Sequence, residues 1–128
     1  MKNKFLGTGQ SGFHPIRKIR IGLRGCWYAV CFDFAVAYKL VLSLAILAVC
    51  AYYRQWLDFG LIFVATGVML AAEMFNTAIE ALCDFIETEQ NEKIGIIKDV
   101  SAAAAGTGIV VWAAVLCGET VRVLHFVS

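Results

Sequence analysis

Charged residues are scarce in this chain of 128 residues. Asp, Glu, Lys and Arg together make up 16% of it, whereas hydrophobic residues make up 60%, and the mean hydropathy is +0.74. Soluble domains are typically about 45–50% apolar and about 25% charged. These proportions exclude an ordinary soluble domain, and the length leaves no room for two domains. The composition therefore predicts a small integral membrane protein that forms a single domain over residues 1–128.

The motifs of several soluble enzymes and metal proteins are also missing. The five cysteines form no C-x-x-C pair and no Cys/His cluster, which argues against a disulfide framework, structural zinc or a redox site. No Walker-type G-x-x-x-x-G-K-[ST] occurs, and His14 and His125 are expected on opposite sides of the membrane, so no Ser/His/Asp arrangement is credible. Residues 7–12 match G-x-G-x-x-G, but no strand precedes them and the match is accidental. We expect no nucleic-acid partner.

The N-terminus has no apolar run of the signal-peptide kind before residue 28, so we expect insertion through the later spans themselves. Residues 1–12 are polar and glycine-rich, and we expect a flexible tail there. From Phe13 onward, apolar and basic residues recur with the period of a helix. This pattern predicts an amphipathic helix over residues 13–33 that lies in the membrane interface. Its basic side chains are expected to bind anionic lipid: Arg17, Lys18, Arg20 and Arg24.

Three longer apolar segments follow, over residues 34–53, 57–85 and 100–118. About 20 apolar residues suffice to cross a bilayer. Lys39 lies close enough to one end of the first segment for its side chain to snorkel. We expect a charged connector at residues 87–99. The chain is thus predicted to be all-α, with an N-terminal surface helix and three transmembrane helices.

The distribution of basic residues predicts how these spans are oriented. All of the 11 Lys and Arg residues except Arg54 and Arg122 fall on one side of the predicted membrane. By the positive-inside rule, that side is the cytoplasm. The N-terminus and the connector at residues 87–99 are therefore expected to be cytoplasmic, and the C-terminus to be outside.

The second span carries an acidic stripe. Glu73, Asn76, Glu80 and Asp84 recur at spacings of three and four, which places them on one face of a helix. A carboxylate at mid-bilayer costs about 2.5–3.5 kcal/mol, so an intramembrane acid is first interpreted as functional. The alternative is structural: a solvated helix face, or polar groups that hold helices or subunits together by hydrogen bonds.

The available groups suit phosphoryl transfer. Magnesium prefers hard oxygen ligands and usually takes one or two carboxylates plus substrate phosphates. Transfer also needs a cation on the phosphates and a base near the attacking hydroxyl. Lys98 adds a cation to the available groups, and Asp99 adds a carboxylate. Glu73 lies about two turns, or roughly 10 Å, deeper than Glu80. Its apolar surroundings suit a base, and the shallower Glu80 suits a metal ligand within reach of a nucleotide.

The run E-x-x-N-x-x-x-E-x-x-x-D at residues 73–84 is followed by Gly95-x-x-Lys98-Asp99 and a third span rich in small residues. This combination resembles the prokaryotic diacylglycerol kinase and undecaprenol kinase family, with similarity over roughly residues 12–118. The resemblance implies a small three-span enzyme of the bacterial inner membrane that works as a homotrimer. Such an enzyme transfers the γ-phosphate of ATP, with Mg²⁺, to a lipid hydroxyl at the cytoplasmic face.

The resemblance also implies a role for each matching residue. Glu73 would be the catalytic base, and Asn76 would help to position the reacting groups. Glu80 would ligate magnesium together with a second acid near the end of the surface helix, a place that Asp33 occupies here. The nucleotide site would include Glu80 and further residues: Asp84, Gly95, Lys98 and Asp99.

Departures from the family pattern lie near Asp33 and after Lys98. Where the family often has Asn and Arg, and its undecaprenol branch a His, this chain has Ala35, Ala37 and Lys39. The sequence of residues 96–100 is more similar to the undecaprenol branch. Two lipid substrates stay under consideration, undecaprenol and diacylglycerol. A rival function is a catalytically degenerate trimer that serves as a lipid-binding or assembly module. A small transporter is a third hypothesis.

Overall fold

The computed structural model describes residues 15–87, 89 and 91–127, and the side chains of all of these except residues 126 and 127. This part of the chain forms four α-helices, which confirms the all-α prediction. The helices are α1 (Pro15–Phe32), α2 (Phe34–Tyr52), α3 (Trp56–Ile86) and α4 (Glu92–Val127). The predicted flexible tail at residues 1–12, and the start of the predicted surface helix at Phe13, lie outside the described residues.

Three of the helices, α2, α3 and α4, are long and apolar enough to cross a membrane. The first two predicted spans agree closely with α2 and α3. The predicted third span, residues 100–118, lies within α4, which begins before it at Glu92 and ends after it at Val127. Residues 92–99 carry charges that do not belong inside a bilayer, yet they extend the same helix beyond its apolar part. The connector between α3 and α4 is therefore residues 87–91, and Gly95, Lys98 and Asp99 lie on a helix.

Asp33 separates α1 from α2 and acts as the N-cap of α2. Its Oδ1 accepts hydrogen bonds from the backbone amides of Ala35 (2.8 Å) and Val36 (3.3 Å). A short polar side chain at this position satisfies amides that the first turn of a helix leaves unpaired. The cap holds the Asp33 carboxylate at the junction of the two helices. The location of α1 at the membrane surface stays a prediction.

A tight turn at Arg54 joins α2 to α3. Its backbone φ is 57°, and the amides of Arg54 and Gln55 donate to the carbonyls of Ala51 (3.2 Å) and Cys50 (2.8 Å). This pair of bonds is the Schellman arrangement, which ends a helix by satisfying its last carbonyls. It reverses the chain, so that α3 runs back alongside α2.

The core lies where α3 packs against α4 and α2. It is built around Met69, Ile62 and Trp112, with Leu47 and Cys50 from α2. The helices α3 and α4 are in close contact at Gly108, where an added Cβ would lie 3.0 Å from the Cβ of Ala72. A small residue at this position lets the two helices pack closely. The packing fixes which face of α3 meets the polar residues of α4.

Candidate functional site

The acidic stripe lies along α3, and its exposure rises toward the helix end. Glu73 is buried at 8% exposure, Asn76 and Glu80 are half-buried, and the side chain of Asp84 is 69% exposed. At 1.5 Å per residue, α3 carries Asp84 roughly 16 Å along the axis from Glu73. The stripe thus joins the apolar interior to the polar end of the bundle.

The inner end of the stripe is an ion pair. The Nζ of Lys39 on α2 donates to Oε1 of Glu73, and Lys39 is only 3% exposed. The expectation that Lys39 snorkels to the membrane edge is therefore wrong. The facing helix supplies a carboxylate in the interior, so the ammonium gains a partner there and has no need to reach water. Sequence analysis missed this pair because the two residues lie on different helices.

The middle of the stripe is tied to α4 through a serine that sequence analysis did not assign to the site. The hydroxyl of Ser101, which is 6% exposed, donates to Oδ1 of Asn76. The Nδ2 group of Asn76 in turn donates to Oε1 of Glu80 (2.9 Å). This chain of bonds fixes the Asn76 amide and aims its donor at the proposed metal ligand. The only sequence signal for Ser101 was a hydroxyl in an otherwise apolar run.

The outer end of the stripe opens into a polar cavity of about 540 Å³. In its lining, the Nζ of Lys98 lies 2.6 Å from Oδ1 of Asp84. The structure therefore brings together three of the predicted nucleotide-site residues, Asp84, Gly95 and Lys98. Asp99 is exposed on α4 and is not among the described residues that line this cavity. The lining is completed by Glu87, Glu89, Asn91, Glu92 and Ile94.

A second cavity of about 490 Å³ lies between α1 and α3. Asp33 and Glu80 both line it, and they are the only charged side chains among its described lining residues. The other residues give a largely apolar wall: Gly25, Tyr28, Ala29, Phe32, Met74, Thr77, Ala78 and Ala81. The two predicted metal ligands thus share a cavity, although Oδ1 of Asp33 is already engaged in the helix cap.

No group of three or more His, Cys, Asp and Glu side chains in the described part of the chain is arranged to hold a metal ion. Magnesium does not require such a group, because it usually takes one or two carboxylates and obtains further oxygens from substrate phosphates and water. Glu80 and Asp33 supply two hard oxygen donors in one cavity. Two carboxylates are within the number that magnesium usually takes from a protein.

The far end of the bundle holds an unrelated ion-pair network. Asp58, at the start of α3, is 3% exposed, and its Oδ1 lies 3.3 Å from Nη2 of Arg122. Glu119 lies 3.2 Å from the same guanidinium. These residues connect α3 to the last turns of α4, far from the acidic stripe. The network offers a comparison for the stripe, since it pairs a buried carboxylate of α3 with a base at a remote position.

Comparison with known proteins gave one match. The family model for prokaryotic diacylglycerol kinase matches residues 20–118. This range includes the whole acidic stripe and all the described lining residues of both cavities. No curated protein and no solved structure gave a significant match to the chain.

Proposed function

Since the chain belongs to the prokaryotic diacylglycerol kinase family and is therefore a lipid kinase, we propose that it phosphorylates a membrane lipid alcohol with ATP and Mg²⁺. The acceptor is diacylglycerol or undecaprenol, at the cytoplasmic face of the bacterial inner membrane. The observation that carries the proposal is the exposure gradient of the stripe, from buried Glu73 to exposed Asp84. Such a gradient lets one site hold an apolar acceptor beside a water-soluble donor.

In this proposal Glu73 is the general base. The lipid hydroxyl gives its proton to the Glu73 carboxylate, and the hydroxyl oxygen forms a bond to the γ-phosphorus. The bond from that phosphorus to the β–γ bridging oxygen breaks, and ADP leaves. Asn76, held by Ser101 and bonded to Glu80, orients the groups between base and phosphate. Catalysis then comes mainly from positioning, as expected for phosphoryl transfer.

The polar cavity around Lys98 and Asp84 is proposed as the nucleotide side of the site. Four carboxylates and one ammonium line it, so a free nucleotide would meet a repulsive field. Magnesium, held by Glu80 and Asp33, would offset phosphate charge when bound. The carboxylate excess therefore favours the metal complex of the nucleotide over the free anion. Lys98 supplies the cation for the phosphates.

The orientation and assembly belong to the same proposal. The excess of Lys and Arg places the α3–α4 connector, and with it the polar cavity, on the cytoplasmic side where ATP is found. We propose a homotrimer, as the family resemblance implies. The largely apolar cavity between α1 and α3 would admit the lipid from the membrane.

The test is an assay of the purified chain in mixed micelles with ATP and Mg²⁺. The acceptors are undecaprenol, diacylglycerol and a panel of other lipid alcohols. We expect phosphate transfer to at least one of them, lost when magnesium is chelated and regained when it is restored. A folded protein that is inactive toward the whole panel would overturn the proposal.

One observation favours the alternative of a degenerate, non-catalytic trimer. The ammonium of Lys39 occupies a carboxylate oxygen of the proposed base. A base that is fully neutralised in this way would give a protein that binds nucleotide and lipid without turnover. Nucleotide binding in the absence of phosphate transfer would favour this alternative.

A further inference from the structure

The proposed base is paired within the protein interior. The side chains of Lys39 and Glu73 are 4% and 10% exposed, and the ammonium contacts Oε1 of the carboxylate. Removal of either partner would leave a lone charge among apolar side chains, which is strongly unfavourable. The pair therefore stabilises the charge on Glu73 in a place where a solitary carboxylate would be costly.

Two hydrogen bonds tie the α2 backbone at Lys39 to α4. The hydroxyl of Ser43 donates to the backbone carbonyl of Lys39 (2.9 Å) within α2. The indole Nε1 of Trp112 on α4 donates to the same Ser43 oxygen (2.8 Å). Ser43 and Trp112 are buried at 0% and 6% exposure. This link holds α2 against α4 at the helix position that carries Lys39.

We infer that Lys39 is a positioning residue for the Glu73 base. Its ammonium holds Oε1 and stabilises the carboxylate charge, which leaves Oε2 to accept the lipid proton. In this role Lys39 contacts the base and touches no atom of the substrate. The inference rests on the proposed role of Glu73 as the base. In this inference the Lys39 ammonium supports catalysis, whereas in the degenerate alternative the same ammonium blocks the base.

The position of Lys39 determines which kinetic constant should respond. Lys39 meets the stripe at its buried inner end, whereas the Asp84–Lys98 pair lies at the exposed outer end. Loss of Lys39 should therefore lower kcat and leave the KM for ATP nearly unchanged. A displacement of about 1 Å in a reacting group can cost about a hundredfold in rate.

The experiment compares Lys39→Met, Lys39→Gln and Lys39→Arg in the full chain, with a lipid alcohol that the wild type phosphorylates. We expect kcat to fall about a hundredfold in the two neutral variants. We expect the KM for ATP to change by less than about threefold. Lys39→Arg keeps the positive charge and should retain at least about a tenth of the wild-type kcat.

Asp58→Asn is the control, because it breaks another ion pair of α3, formed at the far end of the bundle by the buried Asp58 carboxylate and the exposed guanidinium of Arg122. It should lower thermal stability and leave kcat within about threefold of the wild type. The double variant Lys39→Met/Glu73→Gln removes both charges; it should unfold at a higher temperature than Lys39→Met and be inactive. These two variants separate a loss of folding from a loss of positioning.

A folded neutral variant with wild-type kcat overturns the inference, and so does a loss of rate that appears mainly as a raised KM for ATP. If neither neutral variant folds, Lys39→Arg decides: a folded protein with less than a tenth of the wild-type kcat contradicts positioning by charge. A wild type that is inactive on every lipid refutes the proposed function instead. An active Glu73→Gln refutes the role of the base whatever Lys39 does.

Discussion

At the residue scale, Thr66 offers a test of a buried polar group. Its hydroxyl is buried in α3 and makes no hydrogen bond to any described residue. Thr66→Val keeps the shape and removes the unsatisfied hydroxyl, so we expect the free energy of unfolding to rise by about 0.5–2 kcal/mol. Denaturation in detergent micelles measures the change. A clear loss of stability would show that the hydroxyl has a partner in the assembled protein.

Lys98 gives a residue-scale prediction about the nucleotide. Its ion pair with Asp84 is largely exposed, so the pair contributes little to folding. Lys98→Gln should leave thermal unfolding unchanged and raise the KM for ATP about tenfold or more, because one charge-assisted contact to phosphate is lost. Lys93→Gln is the control, since Lys93 is exposed on the same helix and is not among the described lining residues of the cavity. Equal effects of both variants would contradict a specific contact.

At the scale of elements, the close contact between α3 and α4 depends on Gly108, which has no side chain. A Cβ on Gly108 would lie 3.0 Å from Ala72 Cβ and 3.6 Å from Met69 Cα. Gly108→Ala should therefore destabilise the protein by about 1–3 kcal/mol through overpacking. Gly106→Ala, on the same helix with open space around it, should stabilise by up to about 1 kcal/mol through helix propensity. Unfolding in detergent distinguishes the two, and a neutral Gly108→Ala would show that the helices can separate at no cost.

At the scale of the whole molecule, the orientation can be tested from both sides of the membrane. Arg54 lies in the α2–α3 turn and Glu89 in the α3–α4 connector, at opposite ends of α3. Cysteines placed there, with exposed Cys31 and Cys117 changed to serine, should react with an impermeant maleimide from opposite sides. Glu89→Cys should label only in inside-out vesicles and Arg54→Cys only in right-side-out vesicles. The reverse pattern would place the polar cavity away from ATP.

The sequence predicted those parts of the molecule that depend on local periodicity. Apolar runs predicted α2 and α3 almost to the residue, and the spacing of three and four predicted the stripe from Glu73 to Asp84. The start of α4 was missed because charged residues indicate where a helix leaves the membrane, not where the helix itself begins. The Lys39–Glu73 pair and the Ser101–Asn76 bond were missed because they join different helices. Such contacts depend on helix packing, which no periodicity within one segment reveals.

The proposed kinase activity depends on Glu73 as the general base. The most direct measurement is the rate at which the Glu73→Gln variant transfers phosphate from ATP to a lipid alcohol. The variant keeps the size of the side chain and removes the proton acceptor. We predict a fall in kcat of at least about a hundredfold, in line with the loss of a general base, with a nearly unchanged KM for ATP. A folded Glu73→Gln protein that transfers phosphate at the wild-type rate would contradict the account.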